Sequence, residues 1–393
     1  MKYNLVQNLD VQNKTVVVRT DINVPLKNGV VQDSTRIKES FKTIKHLLEG
    51  GAKKVIIVAH FGRPKGKVVE EMSFKYILSD VEKIYGQNVD LLRLEDADKI
   101  QKSSSKIILI ENIRFYPEEE KNGDVLSQTL AKLGDFYIND AFSASHRAHS
   151  SVYGVAKYTQ VYAGLLLQDE IFNIESILNG TQKEKICTII GGSKVSTKLD
   201  LLNNLIHKSK YIVLGGGMAN TFFHANGFSI GKSLFEPDFT QNCVEILKKA
   251  KEIGTQIMLP EFVITAKEIK DGAEIEVKNI KNIKEDDIIT DVCFDGELEE
   301  VFRKVNFVVW NGPLGAFETR PFSCGTENTA RLLAKHTVLK NIKSIIGGGD
   351  VVSAIGAAGL KNSMTYISTG GGAFLEWLEG KTLPGITVCK VDV

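Results

Sequence analysis

Arg36, Arg63, Arg114 and Arg147 fall in four separate polar segments of the first 150 residues, and His60 and Asn23 lie in segments of the same kind. A guanidinium is a planar fork of donors that grips carboxylate or phosphate oxygens two at a time. One loop arginine is ordinarily a solvated surface charge, but four at corresponding positions suit convergence on one small polyanion. Asp21 is an odd neighbour for a phosphate. It makes better sense accepting a bond from a substrate hydroxyl, which points to a phosphorylated hydroxy acid.

The second half carries a different chemistry. Gly191-Gly192-Ser193-Lys194, Gly215-Gly216-Gly217, Asn311-Gly312-Pro313, Gly347-Gly348-Gly349-Asp350 and Gly370-Gly371-Gly372 are glycine turns with a few charged residues. Glycine lets backbone amides approach a phosphate or a base with no Cβ in the way. Lys194 and Lys198 are four apart, which places them on one face at the start of a helix with apolar positions Val195, Leu199, Leu202 and Leu205. Gly347-Gly348-Gly349-Asp350 opens another helix, with Asp350 expected as both its N-cap and a magnesium ligand.

Other chemistries lack their marks. No GxGxxG follows a strand, and Gly231-Lys232-Ser233 fails as a phosphate loop because Asn226 stands at its first glycine position. That segment reads as a turn before the next helix. There is no GxSxG elbow and no cysteine–histidine pair marked by local sequence. Phosphoryl transfer needs little covalent chemistry from the protein; it needs alignment, charge neutralisation and exclusion of water. A basic site and a glycine-rich site on separate domains fit direct transfer, provided the domains close on each other.

The elements that must position these residues alternate between short β-branched runs and longer amphipathic stretches, the pattern of parallel sheets with crossover helices. Strands are expected at 15–19, 54–59, 106–110 and 135–138, then at 186–190, 211–214, 256–259, 306–310, 344–346 and 365–368. Between the first two, Ile37, Phe41, Ile44, Leu47 and Leu48 have helical spacing, and Gly50-Gly51 stops that helix. The polar and glycine segments all follow strand ends, where open parallel sheets bind ligands. The reading is two doubly wound, Rossmann-like α/β domains, 1–163 and 180–380, joined by a helix over 164–179.

Composition narrows the field. Lys plus Arg total 49 against 48 Asp plus Glu, so no global field draws nucleic acid or anionic membranes. No apolar run has membrane-spanning length, and the N-terminus has no signal-peptide core. Five scattered cysteines without CxxC spacing argue against a disulfide framework or a zinc site. They suit buried thiols in a reducing cytoplasm.

In this order, VVRTDINVPL (17–26), AHFGRP (59–64), ENIRFYPEE (111–119), DAFSASHRAHSS (140–151), GGSKVSTK (191–198), GGGMANTF (215–222), WNGPLGAFE (310–318), GGGD (347–350) and STGGGAFLEWLEGKTLPG (368–385) resemble the phosphoglycerate kinase family nearly end to end. The resemblance implies reversible transfer of a phosphoryl group between 1,3-bisphosphoglycerate and ADP, giving 3-phosphoglycerate and ATP, by a cytoplasmic, glycolytic monomer that uses Mg2+. By the same resemblance, Asp21, Asn23, Arg36, His60, Arg63, Arg114 and Arg147 bind phosphoglycerate. Arg36, Lys194, Lys198 and the amides of Gly371 and Gly372 serve the transferring phosphoryl. The nucleotide falls to Lys198, Gly215, Gly216, Asn311, Pro313, Glu318, Gly348, Gly349, Asp350 and Val351, with Asp350 on the metal. Residues 381–393 are expected to return to the first domain. Three places depart from the family pattern: Val351 replaces a hydroxyl residue, Thr197 an aspartate, and 284–300 a glycine-containing stretch beside the base. A non-catalytic nucleotide- or metabolite-binding protein of the same fold is the alternative, and a nucleic-acid-binding module is a more distant one. ATP formation from 1,3-bisphosphoglycerate and ADP separates all three.

Overall fold

The computed structural model describes residues 2–178, 182–294 and 296–391. Contacts divide the chain into two units: residues up to Phe172 together with those from Thr382 onward, and Asn173–Lys381. The helix Leu165–Leu178 crosses that division. Asn179, the last residue of the helix expected over 164–179, lies outside the described residues.

The first unit contains, in chain order, β1 (Thr15–Arg19), β2 (Leu26–Lys27), β3 (Val30–Val31), β4 (Lys54–Val58), β5 (Val89–Leu92), β6 (Ile107–Ile110), β7 (Phe136–Asn139) and β8 (Val161–Ala163). Six of them form a parallel sheet in the order β5-β6-β4-β1-β7-β8, and β2 and β3 pair as a small antiparallel ribbon. The central strands show no polar alternation because both faces are covered. Val16, Val18, Val55, Ile57, Ile107 and Leu109 pack on one face with Ile37, Ile44 and Leu47 of the helix Thr35–Glu49. Gly50 ends that helix, as its position after the last periodic residue predicts.

The second unit contains β9 (Ile186–Ile190), β10 (Tyr211–Leu214), β11 (Gln256–Met258), β12 (Phe262–Ala266), β13 (Glu276–Asn279), β14 (Ile288–Cys293), β15 (Phe307–Asn311), β16 (Lys343–Gly347) and β17 (Tyr366–Ile367). Its parallel sheet runs β11-β10-β9-β15-β16-β17, with a separate antiparallel sheet β13-β12-β14. Cys187, Ile189, Val308, Trp310 and Ile346 pack with Phe302, Leu333, Val351 and Ile355.

Each parallel sheet reverses its strand order beside its first strand. From β1 the chain builds outward through β4 to β6 and β5, then crosses to β7 on the other side. From β9 it builds outward through β10 to β11, then crosses to β15. The carboxyl ends of β1 and β7, and of β9 and β15, are therefore the crevices where such sheets bind ligands.

The antiparallel sheet was not legible, and neither were β2, β3, β5 and β8. Residues 284–300, read only as a poorly matching wall, form β14 and the start of the helix Glu297–Lys304. The strand is hidden because the carboxylate Asp291 takes an inward position in it and Asp287 stands just before it; each is 1% exposed. Asp287 takes the ammonium groups of Lys267 and Lys278 at 2.8 Å each, and Asp291 accepts the Gly325 and Val292 amides at 2.7 and 2.8 Å. The cysteines are free, but not all are small buried hydrophobes, since Cys324 is exposed and Cys293 half-buried.

Candidate functional site

At the carboxyl end of β1 the chain turns through Thr20 and Asp21, and the charge is arranged by side chains. Asp21 is buried, and its Oδ2 lies 3.0 Å from Arg36 Nη1 and accepts the Ser143 hydroxyl. Its Oδ1 accepts the Asn23 amide at 2.9 Å. Burial pushes this carboxyl up, but Arg36 and these bonds outweigh it and hold the group below its ordinary value. Asp21 is thus ionised, and both oxygens are already engaged in setting the loop and Arg36. An ionised carboxylate has about four lone-pair sites and these bonds use three, so Asp21 can still take the expected bond from a substrate hydroxyl.

Arg36, at the start of its helix, also donates from Nη1 to Asn23 O at 3.0 Å. Asn23 Oδ1 accepts the Gly62 amide at 3.0 Å, which ties the loop after β1 to the loop after β4. Gly62 O in turn accepts Arg114 Nη1 at 2.8 Å. Arg114 is held by Asn112, whose Oδ1 accepts the amides of Phe61 and Arg114 at 3.1 Å each. Burial, and then the nearby Arg19, push the Arg114 guanidinium down to about 10, so it keeps its proton at neutral pH. Arg147 donates from Nε to His146 Nε2 at 3.1 Å, and burial with Arg147 alongside pushes His146 down to about 4. Arg63 is exposed and forms no ion pair among the described residues. The structure thus links Asp21, Asn23, Arg36 and Arg114 directly through one hydrogen-bonded frame, with His60 and Arg147 in the same electrostatic neighbourhood. Arg63 follows Gly62 at its edge.

The second crevice is built mostly of backbone. A Cβ on Gly191 would stand 1.9 Å from Pro313 O, and one on Gly312 would stand 2.3 Å from Gly191 O. Gly216, at φ +68°, would put a Cβ 2.6 Å from Gly192 O, and Gly215 one 2.5 Å from Leu314 Cδ2. These four glycines, with the buried Pro313, let the loops after β9, β10 and β15 pack on each other. By contrast, an added Cβ on Gly192, Gly349 or Gly371 would meet nothing within 4 Å. The helices Gly216–Ala225, Gly349–Ala357 and Gly372–Leu378 all begin at the carboxyl ends of strands, with Gly215, Gly348 and Gly371 as N-caps. First-turn amides have no partner within their own helix and can serve an anion, though in Gly216–Ala225 the Gly216 and Met218 amides already donate to Leu314 O and Gly192 O at 2.7 and 3.0 Å.

Three expectations change here. Lys194 is not on a helix: the helix begins at Leu199, with Lys198 as its N-cap and Val195 outside it. Glu236 holds this loop in a turn by accepting the Ser196 hydroxyl at 2.6 Å and amide at 2.9 Å, which leaves Lys194 exposed. Asp350 is not an N-cap, since Gly348 at φ +108° takes that place; Asp350 sits exposed in the first turn. Val351 follows it with a side chain that is 0% exposed and packed in the core. Only its backbone can serve a ligand.

Lys198 Nζ donates to Asn311 Oδ1, and Asn311 Nδ2 donates to Gly347 O at 2.6 Å. One side chain therefore joins the ends of β15 and β16 to the lysine. Burial pushes Lys198 below its ordinary value, opposed by Glu379 and Asp350. Glu318 is exposed beyond this frame. Sequence reasoning missed Asn112, Glu119, Ser151 and the fully buried Arg19. The available signal was an arginine ending an otherwise apolar strand, TVVVR.

A sequence model described as phosphoglycerate kinase matches residues 6–381. The chain is 46% identical over 388 residues to a phosphoglycerate kinase of Rhizobium meliloti (strain 1021), covering 97% of each chain. It is 43% identical over 399 residues to one of Cereibacter sphaeroides (strain ATCC 17025 / ATH 2.4.3), covering 100% of each. Among solved structures, phosphoglycerate kinase from Coxiella burnetii superposes with a TM-score of 0.90 at 38% identity, and that from Pyrococcus horikoshii OT3 with 0.82 at 27%, each covering 98% of both chains. With matches of this extent in sequence and in fold, the chain belongs to the phosphoglycerate kinase family.

Proposed function

We propose that the protein transfers a phosphoryl group reversibly between 1,3-bisphosphoglycerate and ADP, with phosphoglycerate on the first unit and nucleotide on the second. The observation that carries this division is the contrast between the two crevices, one lined by guanidinium groups and the other by backbone amides. An oxygen of the ADP β-phosphate attacks the acyl phosphorus, and the bond from phosphorus to the carboxyl oxygen breaks. ATP and the carboxylate of 3-phosphoglycerate result, with no proton transfer required. The protein's task is to bind, align and neutralise. The non-catalytic alternative is not favoured.

Asp21, Asn23, Arg36, His60, Arg63, Arg114 and Arg147 hold phosphoglycerate, with Asp21 also setting Arg36. Arg36, Lys194, Lys198 and the amides of Gly371 and Gly372 meet the transferring phosphoryl. Lys198, Asn311, Gly348, Gly349 and the Val351 amide hold nucleotide phosphates, Gly215, Gly216 and Pro313 shape the floor, and Glu318 reaches the ribose. Asp350 takes Mg2+. Among the described residues no three His, Cys, Asp or Glu side chains gather into a metal site. A single carboxylate completed by nucleotide oxygens and water fits this hard, oxygen-seeking ion. When bound, the ion neutralises phosphate charge as it shifts between donor and acceptor. We place the enzyme in the cytoplasm as a monomer. Its free cysteines support that setting.

ATP formation in a coupled assay tests the reaction. Calorimetry on Arg114→Ala and Lys198→Ala tests the division: the first should lose 3-phosphoglycerate affinity and keep ADP, the second the reverse. The opposite pattern overturns it. Direct transfer also requires the two ligands to meet, so both together should compact the molecule in small-angle scattering more than either alone.

A further inference from the structure

Arg19 ends β1 and is 0% exposed. Its guanidinium is gripped from several sides. Nε donates to Ser151 Oγ at 2.9 Å, and Nη1 donates to Thr20 O. Ser151 in turn donates its hydroxyl to Glu119 Oε1 at 2.6 Å and its amide to Oε2 at 3.0 Å. His149 Nδ1 lies 3.6 Å from the same Oε1. Burial pushes Glu119 up, yet His149, Arg19 and Ser151 together hold it below its ordinary value, so Arg19 faces a charged anchor. The remaining arm, Nη2, lies 3.2 Å from His60 Nδ1.

A guanidinium has only donors. The nitrogen it meets must accept, so Nδ1 carries no proton and the ring proton of a neutral imidazole sits on Nε2. Among the described residues Nε2 has no protein partner. Nor is it among the sealed, unpartnered nitrogens, unlike Nδ1 of His146 and of His149.

We infer that Arg19 is a positioning residue of the phosphoglycerate site, fixing His60 as the neutral Nε2–H tautomer so that the imidazole offers the ligand one hydrogen-bond donor and no added charge. The inference rests on the assignment of phosphoglycerate to the first unit. The charged groups facing His60 are Asp21, Arg19, Arg114 and Arg36. Burial, joined by three cations against one carboxylate, disfavours a second ring proton and holds the group well below its ordinary value. Without Arg19 no other bond among the described residues holds Nδ1 as an acceptor. The ring would then exchange tautomers, and the donor would be present only part of the time. With Arg19 in place, the site has a donor that does not switch with pH among cations that already supply charge.

Nitrogen-15 correlation spectra of the histidine rings in the full-length protein decide the tautomer. His60 should show a pyridine-type Nδ1 and a pyrrole-type Nε2 from about pH 6 to about pH 8, the range in which an unperturbed histidine titrates. A protonated Nδ1 at neutral pH overturns the inference without any variant. Replacing Arg19 strands the buried Glu119, so the functional arm uses His60 as well. His60→Gln, whose amide supplies an N–H, should leave the KM for 3-phosphoglycerate within about threefold, whereas His60→Leu should raise it about tenfold to a hundredfold at similar ADP KM. Equal losses in both overturn the donor role. Arg19→Lys, which keeps a buried cation and donor, should retain the Nε2–H form in greater proportion than Arg19→Met; equal tautomer populations in wild type and Arg19→Met overturn the role of Arg19. If 3-phosphoglycerate shifts the Arg36 and Arg114 signals but not those of His60, the inference fails while the unit assignment stands. If it shifts none of the three, the unit assignment fails.

Discussion

The two crevices sit at equivalent places in two sheets, yet they present charge in opposite ways. In the first unit the donors are guanidinium groups, aimed by polar side chains such as Asp21, Asn23 and Asn112 that tie loop to loop. In the second, loops pack so closely that a side chain cannot be added, and the donors are backbone amides at helix starts. Side-chain donors bring full charge and planar bidentate geometry, which suits a small polyanion. Backbone donors bring partial charge in a fixed array, which suits a chain of phosphates lying along loops. Lys198 is the side-chain cation within that array, and the Mg2+ proposed at Asp350 would add to its charge. A glycine-rich loop is therefore two things at once: some glycines make the frame possible, others leave the ligand room.

The contrast is broken most severely at the residues each site uses for the moving phosphoryl. Arg36→Ala should lower kcat by about a hundredfold or more, and Lys198→Ala comparably, because each removes a charged donor used in the transition state. Steady-state kinetics check this, and a kcat within a factor of a few for either variant would remove that residue from the transferring site.

The division among glycines should appear in stability. Gly191→Ala forces a Cβ to within 1.9 Å of Pro313 O and should cost about 1–3 kcal/mol or more. Gly349→Ala meets open space and should leave thermal stability near wild type while weakening nucleotide binding. If calorimetry finds equal destabilisation, framing and ligand-facing glycines are not distinct. At Asp350, Asn substitution should weaken MgADP binding by roughly tenfold and leave metal-free ADP unchanged, as expected for loss of one carboxylate ligand worth a unit of tenfold free energy. Equal loss with and without metal would place Asp350 on the nucleotide itself.

The smallest effect is expected at Val351. Its buried methyls make Val351→Thr a burial of a hydroxyl in an apolar core, so stability should fall by about 1–3 kcal/mol while MgADP affinity stays within about threefold. Tenfold tighter MgADP binding would show that the hydroxyl turns to the phosphate after all.

Much of this was legible because the relevant signals are local. TVVVR, KVIIV and ICTII read as doubly buried strands, and the loop leaving a parallel strand lies at the ligand edge. The features that stayed hidden depend on distant partners. Lys194 and Lys198 have helical spacing, but Glu236, far along the chain, holds Ser196 in a turn instead. The first-turn place of Asp350 stems from the backbone freedom of Gly348 rather than from its own capping tendency. Arg19 is invisible as a buried anchor until Glu119 and Ser151 are brought beside it.

The closing stretch of chain carries one more consequence. Gly385 accepts the Asn139 side-chain amide at 3.0 Å and gives its own amide to Ser145 O at 2.9 Å; Cys389 O takes the Asn4 amide at 2.8 Å, and the Val391 amide reaches Lys2 O at 3.0 Å. Asn139 ends β7, one wall of the basic crevice. During synthesis, every residue of Asn173–Lys381 emerges from the ribosome before these partners do. The first unit is begun first yet finished last, so a nascent chain can complete its second sheet while β7 still lacks the strand-end contacts that only the final residues supply.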